Sequence, residues 1–595
     1  MEENIYRNRI AALRRLMRAR HIDAYIVLTD DYHASEYVGD YFKCRAYLSG
    51  FTGSAGTLVI TASEAGLWTD GRYFLQAAEQ LQGSGITLHK MGIDAPIPTY
   101  LKATLKPGQC VGYDGRTVGI AYGKQLKNTL RDLNIRFDET ADLVSPLWQD
   151  RPSFPAVPIW ELPAVYTGKS RRDKLDDLRR AMAEAGADCH LLASLDDIAW
   201  LYNLRGGDVL YNPVFMAHSL LTPTETVLYV SPAAVSADLA ATLQGDNITL
   251  RPYGQIYEDL STLPANSCVL IDEDAVNVSL RHALPQAVKV IARTNPTTLM
   301  KAQKTPIEQK NMRLAHVYDG VALTKLLYWL RSQPLNITEL DIAEKLESLR
   351  AACPDYLGQS FAPIIAAGAH GAIIHYEPTK ESNISLVDNS FLLMDTGGQY
   401  WQGTTDVTRT VAIGTLTAEQ KSHYTAVLRG NLALAAAHFK HGCTGVNLDY
   451  LARSPLWELG LDYNHGTGHG VGYLLNVHEG PQGIRLRDKN GGAVLEAGMI
   501  LSDEPGVYLE NRYGIRLENL LLCRKAEKTD CGQFMAFDTL TMVPFDRNAV
   551  TPQQMTDAEL GLLNRYHVRV YETLSPYLTE EERAWLQEAT QPLIK

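Results

Sequence analysis

Residues 390–411 read SFLLMDTGGQYWQGTTDVTRTV, and this stretch predicts two strands joined across a turn. A short apolar run leads into Asp395, a glycine-containing turn follows, and residues 404–411 then alternate in the manner of a half-buried strand. Asp395 and Asp406 are eleven residues apart, and two strands paired across a turn can bring such residues side by side. Because an aspartate after a strand is more often a turn or surface residue, the pair becomes informative only together with further ligands.

Two glutamates follow or lie within apolar segments further along the chain. Glu504 ends a strand-like segment and is followed by a Pro-Gly pair. Glu518 lies in the apolar sequence GIRLENLLL, residues 514–522, so we expect its carboxylate to be buried or nearly so. A buried carboxylate is unfavourable unless it is paired or bound to a cation. Arg516 shares the predicted strand face of Glu518, so a structural Arg516–Glu518 ion pair is the alternative.

Two histidines lie in a glycine-rich segment. Residues 465–473 read HGTGHGVGY, and the alternate glycines let the backbone pass close to a neighbouring group. The spacing differs from the dinucleotide-binding G-x-G-x-x-G loop, and the glycine content excludes a stable helix with two zinc-binding histidines. We expect one of His465 and His469 to be a metal ligand and the other to be a pocket residue.

Four carboxylates and one imidazole form the candidate ligand set, which consists of Asp395, Asp406, His469, Glu504 and Glu518. This set suits two divalent cations that share a bridging water, an arrangement typical of hydrolases. Because carboxylate oxygens dominate and no thiolate is present, the set favours Mn²⁺, with Co²⁺, Fe²⁺, Zn²⁺ or Mg²⁺ as alternatives. Four carboxylates against two divalent cations leave the site near neutral, which permits burial.

The composition narrows the function classes. With 595 residues the chain is expected to form two to four domains. The net charge of −12 argues against a nucleic-acid partner, which more often meets a basic surface. The eight cysteines contain no C-x-x-C pair, which argues against a zinc ribbon or a disulfide framework. Because we find neither an apolar signal sequence nor a membrane-spanning stretch, we expect a cytoplasmic protein without a membrane partner.

The first half of the chain contains a weak internal repeat. Helix-like spacing followed by a strand-like run occurs near the N-terminus and again from Lys174. The sequence LRR at residues 13–15 and 178–180, like Asp23 and Asp188, keeps an offset of 165 residues. We therefore predict a duplicated α/β domain, with chance similarity between two helix–strand units as the alternative.

Prolines mark the predicted domain boundaries. Five prolines between residues 146 and 163 predict an extended linker. A second boundary near Pro296 precedes Thr305, which begins a predicted helix with a capping box. The tail after Asp557 has the pattern of an amphipathic helix. The predicted domains are 1–153, its duplicate 154–302, and a larger C-terminal domain 303–595 with a helical extension.

Together these segments resemble aminopeptidase P, the Xaa-Pro aminopeptidases of the pita-bread metallopeptidase family. The resemblance covers nearly the whole chain and its motifs are highly specific. The matching stretches are LSGFTGSAG at 48–56, DTG at 395–397, TTDVTRT at 404–410, HGTGHG at 465–470, NVHEGP at 476–481, SDEPG at 502–506 and GIRLEN at 514–519. The resemblance implies two creatinase-type N-terminal α/β domains followed by a C-terminal pita-bread metallopeptidase domain, hence an α/β and α+β architecture.

The resemblance also implies a role for each metal ligand. Asp395 would bind one metal, Asp406 and Glu518 would each bridge both metals, and His469 and Glu504 would bind the other. The sequence departs from the family pattern at none of these five positions. Long, cytosolic three-domain members of the family are the best match in length, and they imply a homodimer.

Four residues match the substrate pocket of the family. His375, His465 and His478 are similar to its pocket histidines, and Arg516 to the arginine beside the last glutamate. The resemblance implies that a hydroxide bridging two metals attacks the carbonyl before a proline, with Glu504 as the favoured general base. His375 or His478 would stabilise the oxyanion and hold the proline residue.

Other members of the fold give the alternatives. Prolidase uses the same ligands but cleaves dipeptides, and it usually has one N-terminal domain. Methionine aminopeptidase normally lacks these domains, and creatinase lacks the metals. A non-enzymatic pita-bread binding module is the alternative from another class, but such proteins lose ligands that are all present here. We therefore predict a metalloaminopeptidase that acts on peptides with proline in the second position.

Overall fold

In the computed structural model, which describes residues 4–488 and 491–595, the first helix and strand form where the sequence predicts them. Helix α1 (Ile5–Ala19) buries Ile10, Leu13 and Met17 in an apolar cluster with residues of strand β1 (Ala24–Leu28). The other elements of this repeat are β2 (Thr57–Thr61), β3 (Ala65–Thr69), β4 (Thr87–Lys90), β5 (Cys110–Gly112), β6 (Arg136–Asp138), α2 (Cys44–Ser49), α3 (Phe74–Gln80), α4 (Ile97–Thr104) and α5 (Ile120–Leu130).

The chain next forms the strand β7 (Trp160–Glu161) and the short helix α6 (Ala164–Thr167), and a second repeat follows. Its strands are β8 (Cys189–Leu192), β9 (Leu204–Arg205), β10 (Ala217–Leu221), β11 (Thr226–Val230), β12 (Thr249–Pro252), β13 (Cys268–Ile271) and β14 (Lys289–Ala292). Its helices are α7 (Arg171–Ala185), α8 (Leu195–Tyr202), α9 (Ala237–Gly245), α10 (Ile256–Ser261) and α11 (Val278–Ala283).

The two repeats have the same sheet topology. The strand order is β4-β3-β2-β1-β5-β6 in the first and β12-β11-β10-β8-β13-β14 in the second. In each sheet the central strand, β1 or β8, pairs antiparallel on one side and parallel on the other. The two sheets therefore agree in strand order and in strand direction. Chance similarity between two helix–strand units does not account for this agreement, so the predicted duplication is confirmed.

Equivalent side chains also make equivalent hydrogen bonds in the two repeats. Asp23 Oδ2 accepts the backbone N–H of Cys110 at 2.8 Å, and Asp188 Oδ2 accepts that of Cys268 at 2.9 Å. One arginine of each LRR triplet donates to a backbone carbonyl, Arg14 Nε to Thr61 O at 2.8 Å and Arg179 Nε to Thr222 O at 3.3 Å. The offset of 165 residues seen in the sequence therefore corresponds to shared three-dimensional positions.

The chain divides into two units of dense internal packing. The first ends at Pro163 and resumes over Lys169–Thr298, and it contains both repeats. The second comprises Ala164–Gly168 and Leu299–Lys595. The three-domain division with boundaries at 153/154 and 302/303 stays a prediction.

The second unit combines long helices with several small sheets. After α12 (Pro296–Ala302) its helices are α13 (Pro306–Leu330), α14 (Glu339–Ala351), α15 (Ala418–Ala435), α16 (Gly445–Trp457), α17 (Asp557–Leu574) and α18 (Glu580–Ala589). Its strands are β15 (Tyr356–Gln359), β16 (Ile364–Ala367), β17 (Ser390–Thr396), β18 (Gly398–Tyr400), β19 (Gly403–Thr404), β20 (Val407–Ile413), β21 (His438–Lys440), β22 (Gly468–Gly470), β23 (Glu479–Ile484), β24 (Ile500–Asp503), β25 (Gly506–Leu509), β26 (Tyr513–Arg516), β27 (Asn519–Thr529) and β28 (Gly532–Thr539).

Two of these sheets carry the candidate ligands. One has the order β16-β17-β20, and the other has the order β21-β28-β27-β24-β22-β23. The remaining strands form the pair β25-β26 and the sheet β15-β18-β19. Asp395 lies in the first sheet, whereas His469 lies in the second, so the site needs both sheets.

The predicted helices of this unit are confirmed. Thr305 and Glu308 form the predicted capping box, in which each side chain accepts the backbone N–H of the other residue, and α13 ends at Leu330. The tail after Asp557 forms α17 and α18. Among the described residues, no helix is both long and apolar enough to cross a membrane.

Candidate metal centre

The two aspartates of the opening stretch lie on neighbouring antiparallel strands. Strands β17 and β20 pair in a register that places Asp395 opposite Thr408, and Asp406 directly precedes β20. Both side chains are buried. The connection is longer than a simple turn, since β18 and β19 form a small pair between them. The predicted juxtaposition of the two aspartates is therefore present, with a hairpin inserted.

Backbone pairing brings the two glutamates to the same end of another strand pair. In β24 and β27, Asp503 pairs with Asn519, so Glu504 follows one strand end and Glu518 precedes the other. The N–H of Glu518 donates to the carbonyl of Thr408 at 3.1 Å, which links this sheet to β20. Ligands from sequence positions more than 100 residues apart thus converge through backbone hydrogen bonds.

His469 completes the cluster. Ligand atoms of Asp406, His469 and Glu518 lie within 4.8 Å of one another. His469 Nε2 is 3.5 Å from Asp406 Oδ2 and 3.4 Å from Glu504 Oε1. Its other nitrogen, Nδ1, donates to the carbonyl of Gly470 at 2.8 Å, which leaves the lone pair on Nε2 facing the carboxylates. This is the orientation of an imidazole that binds a metal.

Arg516 pairs with Asp395 rather than with Glu518. Its Nε and Nη2 lie 3.1 Å and 2.5 Å from Asp395 Oδ2. Glu518 Oε2 instead accepts the hydroxyl of Thr408 at 2.7 Å. The alternative of an Arg516–Glu518 pair is therefore wrong, because β26 ends at Arg516 and β27 begins only at Asn519, which interrupts the expected strand alternation.

Two buried carboxylate oxygens in the cluster lack hydrogen-bond donors. Within the described part of the chain, Asp395 Oδ1 and Glu518 Oε1 are inaccessible to solvent and have no hydrogen-bond partner. Native proteins rarely leave such acceptors unsatisfied. Hard carboxylate oxygens and one imidazole are donors that divalent cations such as Mn²⁺ accept. The residues present therefore fit the two divalent cations expected from the sequence.

The pKa values of the clustered carboxylates also indicate a site for cations. Burial, followed by the charges of Asp395 and Glu504, raises the pKa of Asp406 well above its ordinary value. Burial and the charge of Asp406 likewise raise the pKa of Glu518. For Glu504, burial raises the pKa to about 7, although Arg516 opposes the shift. So many carboxylates cannot all stay ionised in one buried space without cations to offset their repulsion.

One predicted pocket histidine, His478, lies against a ligand, and a second, His465, contacts a neighbouring tyrosine. The ring of His478 packs edge-on against that of His469, with centroids 4.3 Å apart, and its charge lowers the pKa of Glu504. His465 Nδ1 donates to the carbonyl of Gly466, so its Nε2 accepts the hydroxyl of Tyr508 at 2.9 Å. His478 therefore lies beside the cluster, and His465 is connected to it through Tyr508 and Arg516. The roles of both histidines in the pocket stay predictions.

The third predicted pocket histidine, His375, is half-buried in the turn that follows β16 and a 3₁₀ helix, Gly368–Ala372. The backbone of Gly371 in that helix packs directly against Gly514 of β26. Strand β16 itself pairs with β17, with Ile364 opposite Asp395. The segment is therefore held against two strands of the site, and the role of His375 in the pocket stays a prediction.

The structure adds residues that the sequence analysis missed. Thr408 donates to Glu518, and Ser502 donates to Glu504 Oε1 at 3.0 Å. Tyr508 accepts Arg516 Nη1 at 2.8 Å and so connects His465 to the Arg516–Asp395 pair. Thr408 was detectable, because it shares the strand face of Asp406 at a spacing of two. Ser502 was detectable in the same way, two residues before Glu504, whereas Tyr508 carried no such signal.

Comparison with known proteins agrees with this geometry. Residues 310–525 match metallopeptidase family M24, and residues 533–593 match the C-terminal region of that peptidase. Residues 9–146 and 150–308 each match a creatinase/prolidase N-terminal domain. The chain is 38% identical to the probable Xaa-Pro aminopeptidase P of Paracoccidioides brasiliensis over 98% of its length and 99% of that protein. The chain belongs to the aminopeptidase P group of metallopeptidase family M24.

Two further relatives of this M24 protein span nearly its whole length. Aminopeptidase P1 of Arabidopsis thaliana is 36% identical over 98% of the chain and 99% of the relative. The crystal structure of X-prolyl aminopeptidase from Caenorhabditis elegans, described as a cytosolic enzyme with a di-nuclear active site, superposes with a TM-score of 0.94. That structure is 33% identical and covers 99% of this chain and 100% of its own. The predicted pita-bread architecture with two creatinase-type domains is confirmed.

Dipeptidases share the fold over a smaller part of the chain. The Xaa-Pro dipeptidase of Bacillus anthracis matches with a TM-score of 0.52 at 23% identity. It covers 63% of this chain, although 99% of its own. At this identity the likeness shows the fold alone.

Proposed function

We propose that this M24 protein is an Xaa-Pro aminopeptidase, which hydrolyses the bond between an N-terminal residue and a following proline in peptides. The observation that carries the proposal is the convergence of Asp406, His469 and Glu518, with Glu504 and Asp395 beside them. Full-length similarity to X-prolyl aminopeptidase supports the peptide substrate over a dipeptide. Intact ligands disfavour a binding module without enzymatic activity.

The proposal includes two divalent cations, with Mn²⁺ first and Co²⁺, Zn²⁺, Fe²⁺ or Mg²⁺ as alternatives. The five ligands would hold them, with Asp406 and Glu518 shared between both and the others binding one each. Bound at this place, the cations supply Lewis acidity and lower the pKa of a bound water. The two donor-free oxygens, Asp395 Oδ1 and Glu518 Oε1, support their assignment as ligand atoms.

Further roles are proton transfer, stabilisation of the oxyanion and positioning of Asp395. Glu504 accepts a proton from the attacking water and delivers it to the proline nitrogen, and the hydroxyl of Ser502 orients its Oε1. His478 or His375 donates a hydrogen bond to the carbonyl oxygen as negative charge develops there. Arg516 holds Asp395 in place and is itself held by Tyr508.

Peptide length tests the proposed substrate. Ala-Pro-Ala, Ala-Pro and Ala-Ala-Ala would be incubated separately with manganese-loaded protein, and release of alanine would be followed. We expect alanine from Ala-Pro-Ala and almost none from Ala-Ala-Ala. Faster cleavage of Ala-Pro than of Ala-Pro-Ala would instead establish the prolidase alternative. Absence of cleavage with both cations bound would favour the binding module.

The proposal also includes a cellular location and an oligomeric state. We propose cytoplasmic residence, which is supported by the description of the Caenorhabditis elegans relative as cytosolic. We also propose a homodimer, which is what the family resemblance implies. Sedimentation equilibrium of the purified protein would test the dimer, and a mass of one chain, 65.9 kDa, at all concentrations would contradict it.

A further inference from the structure

Arg409 is a fully buried cation that contacts the backbone of the metal-centre strands. Its side chain is 1% exposed. Nη1 donates to the carbonyls of Thr408 at 2.9 Å and Glu518 at 2.6 Å, and Nη2 donates to Asn519 Oδ1 at 2.8 Å. Arg409 therefore holds both the strand that carries Thr408 and the peptide of Glu518, whose carboxylate is a proposed bridging ligand.

The other side of the same guanidinium is held by the segment that leads to the C-terminal helices. Nη2 also donates to the carbonyl of Val543 at 2.7 Å, and Nε donates to that of Pro544 at 3.2 Å. The hydroxyl of Tyr566, on α17, accepts Nη2 at 2.8 Å and donates to Val543 O at 2.7 Å. Tyr566 thus fixes Arg409 and the segment beside it.

Within the described part of the chain, Arg409 has no acidic partner to share its charge. Over residues 4–488 and 491–595, no aspartate or glutamate forms an ion pair with it. A buried guanidinium is tolerated only when its five N–H groups all find acceptors. Four backbone carbonyls, the Asn519 amide oxygen and the Tyr566 hydroxyl supply those acceptors, and three of the six surround the two N–H groups of Nη2. Tyr566 is one of these three and also donates to another of them, Val543 O, so its loss changes how the acceptors around Nη2 are held.

A second contact from α17 fastens the same segment. His567 Nε2 accepts the backbone N–H of Phe545 at 3.2 Å. The next residue, Asp546, accepts the backbone N–H of Ala412 in β20 at 2.8 Å. The segment between β28 and α17 is therefore attached to the ligand-bearing strand on one side and to α17 on the other.

We propose that Tyr566 is a positioning residue for the metal centre, acting through Arg409 on Glu518. The C-terminal extension, which consists of α17 and α18, would then help to position the metal ligands in addition to packing against the rest of the fold. The inference rests on the proposed function, in which Glu518 bridges two cations. Metal ligands must be held to within about 0.5 Å of their productive geometry, so a residue that is not itself a ligand, such as Tyr566, can affect metal binding.

The substitution Tyr566→Phe removes one hydroxyl and keeps the ring. Groups that hydrogen-bond directly to metal ligands change metal affinity or activity by about 10-fold to 100-fold. Because Tyr566 acts one contact further away, through Arg409, we expect a loss of Mn²⁺ affinity at the lower end of that range, about tenfold. Affinity would be measured on metal-free protein by competition with a chelator. The matched control is Tyr571→Phe on the same helix, whose ring packs in an apolar cluster and which should stay within about twofold of the parent.

A double-mutant cycle separates positioning from general loosening of the fold. Glu518→Gln removes the ligand through which Tyr566 is proposed to act, so Tyr566→Phe should add less than about twofold in that background. Equal effects of Tyr566→Phe with and without Glu518 would overturn the inference, as would a Tyr566→Phe variant that binds Mn²⁺ like Tyr571→Phe. Should Tyr566→Phe fail to fold, Arg409→Lys carries the same cycle, since lysine keeps the charge but not the fork of donors.

The same cycle distinguishes failure of the inference from failure of the proposed function. If Glu518→Gln alone retains two cations and full turnover of Ala-Pro-Ala, then Glu518 is not a bridging ligand and the proposed site is wrong. If Glu518→Gln weakens Mn²⁺ binding while Tyr566→Phe behaves like the control, only the role of the C-terminal extension fails.

Discussion

Asp208 in the first unit and the ligand residues Asp395 and Glu518 in the second unit are all buried, but in different surroundings. In the first unit, Asp208 accepts the backbone N–H groups of Val157 and Met216, one on each oxygen and both at 2.8 Å. In the second unit, Asp395 Oδ1 and Glu518 Oε1 are equally buried, yet no donor reaches either of them within the described structure. The same functional group is thus structural in one place and lacks a partner in the other.

The difference shows what marks a metal centre in the absence of the metal. Backbone donors stabilise one isolated carboxylate, whereas several carboxylates with too few donors repel one another and need cations. Among the described residues, the only group of three or more ligands close enough to share an ion lies in the second unit. The duplicated fold of the first unit supplies buried acids but not their convergence.

The largest effect is expected from Asp406→Asn. An amide cannot replace a carboxylate shared by two cations, so we expect turnover of Ala-Pro-Ala to fall by roughly 1,000-fold or more. Bound manganese, measured by elemental analysis, should fall with it. Full manganese content together with full turnover in this variant would remove Asp406 from the ligand set.

Arg516→Met tests the one strong donor pair in the centre. The substitution leaves the buried Asp395 carboxylate without its partner, which should destabilise the metal-free protein by about 3–5 kcal/mol in urea unfolding. Its matched control is Arg512→Met, which breaks an exposed ion pair with Glu419 and should change stability little. Equal changes in the two variants would show that Arg516 and Asp395 do not depend on each other.

The acids of the first unit should affect stability and not metal binding. Asp23→Ala leaves the N–H of buried Cys110 without its acceptor, which should cost about 2 kcal/mol of unfolding free energy. Asp188→Ala should cost less, because Asp188 is exposed and water can replace it at the N–H of Cys268. Both variants should bind manganese as the parent does, and a loss of metal in either would break the comparison.

A pH effect on stability is expected from a buried histidine that is structural like Asp208. Burial, together with the charges of Arg409 and Arg547, lowers the pKa of His567 to about 3. Below pH 6.5, the ordinary pKa of histidine, His567 binds a proton in the unfolded chain but stays neutral in the folded chain. Stability should therefore fall by about 1.4 kcal/mol per unit as pH falls from 6.5 toward 3.

The variant His567→Gln isolates this contribution. Glutamine keeps an acceptor for the N–H of Phe545 but does not titrate, so the pH dependence of urea unfolding should be shallower than in the parent. The two curves should run parallel above pH 7, where both side chains are neutral. Identical slopes between pH 6.5 and 5 would contradict the assignment of a neutral, buried His567.

Local features of the fold could be predicted from the sequence because they depend on near neighbours. The helix that begins at Thr305 follows from a capping box within four residues, and the repeat follows from helix and strand periodicity. The ligand set followed from chemistry, because one imidazole and four acids flank apolar or glycine-rich segments. The assignment of individual roles, such as that of His478, depended on the family resemblance.

Pairings across long sequence distances could not be predicted in the same way. Arg516 was assigned Glu518 as its possible partner because the two are close in sequence, yet it pairs with Asp395, 121 residues away. Tyr508 and Tyr566 act through hydroxyl groups whose partners lie on other elements. No periodicity or composition signals such contacts, since they arise only when the sheets and the C-terminal helices are assembled.

Crystals of manganese-loaded protein would test the central claim most directly through anomalous diffraction at the manganese edge. We expect two peaks about 3.5–4 Å apart, enclosed by Asp395, Asp406, His469, Glu504 and Glu518. A single peak, no peak, or peaks bound by other residues would contradict the assignment of these five side chains as a dinuclear centre.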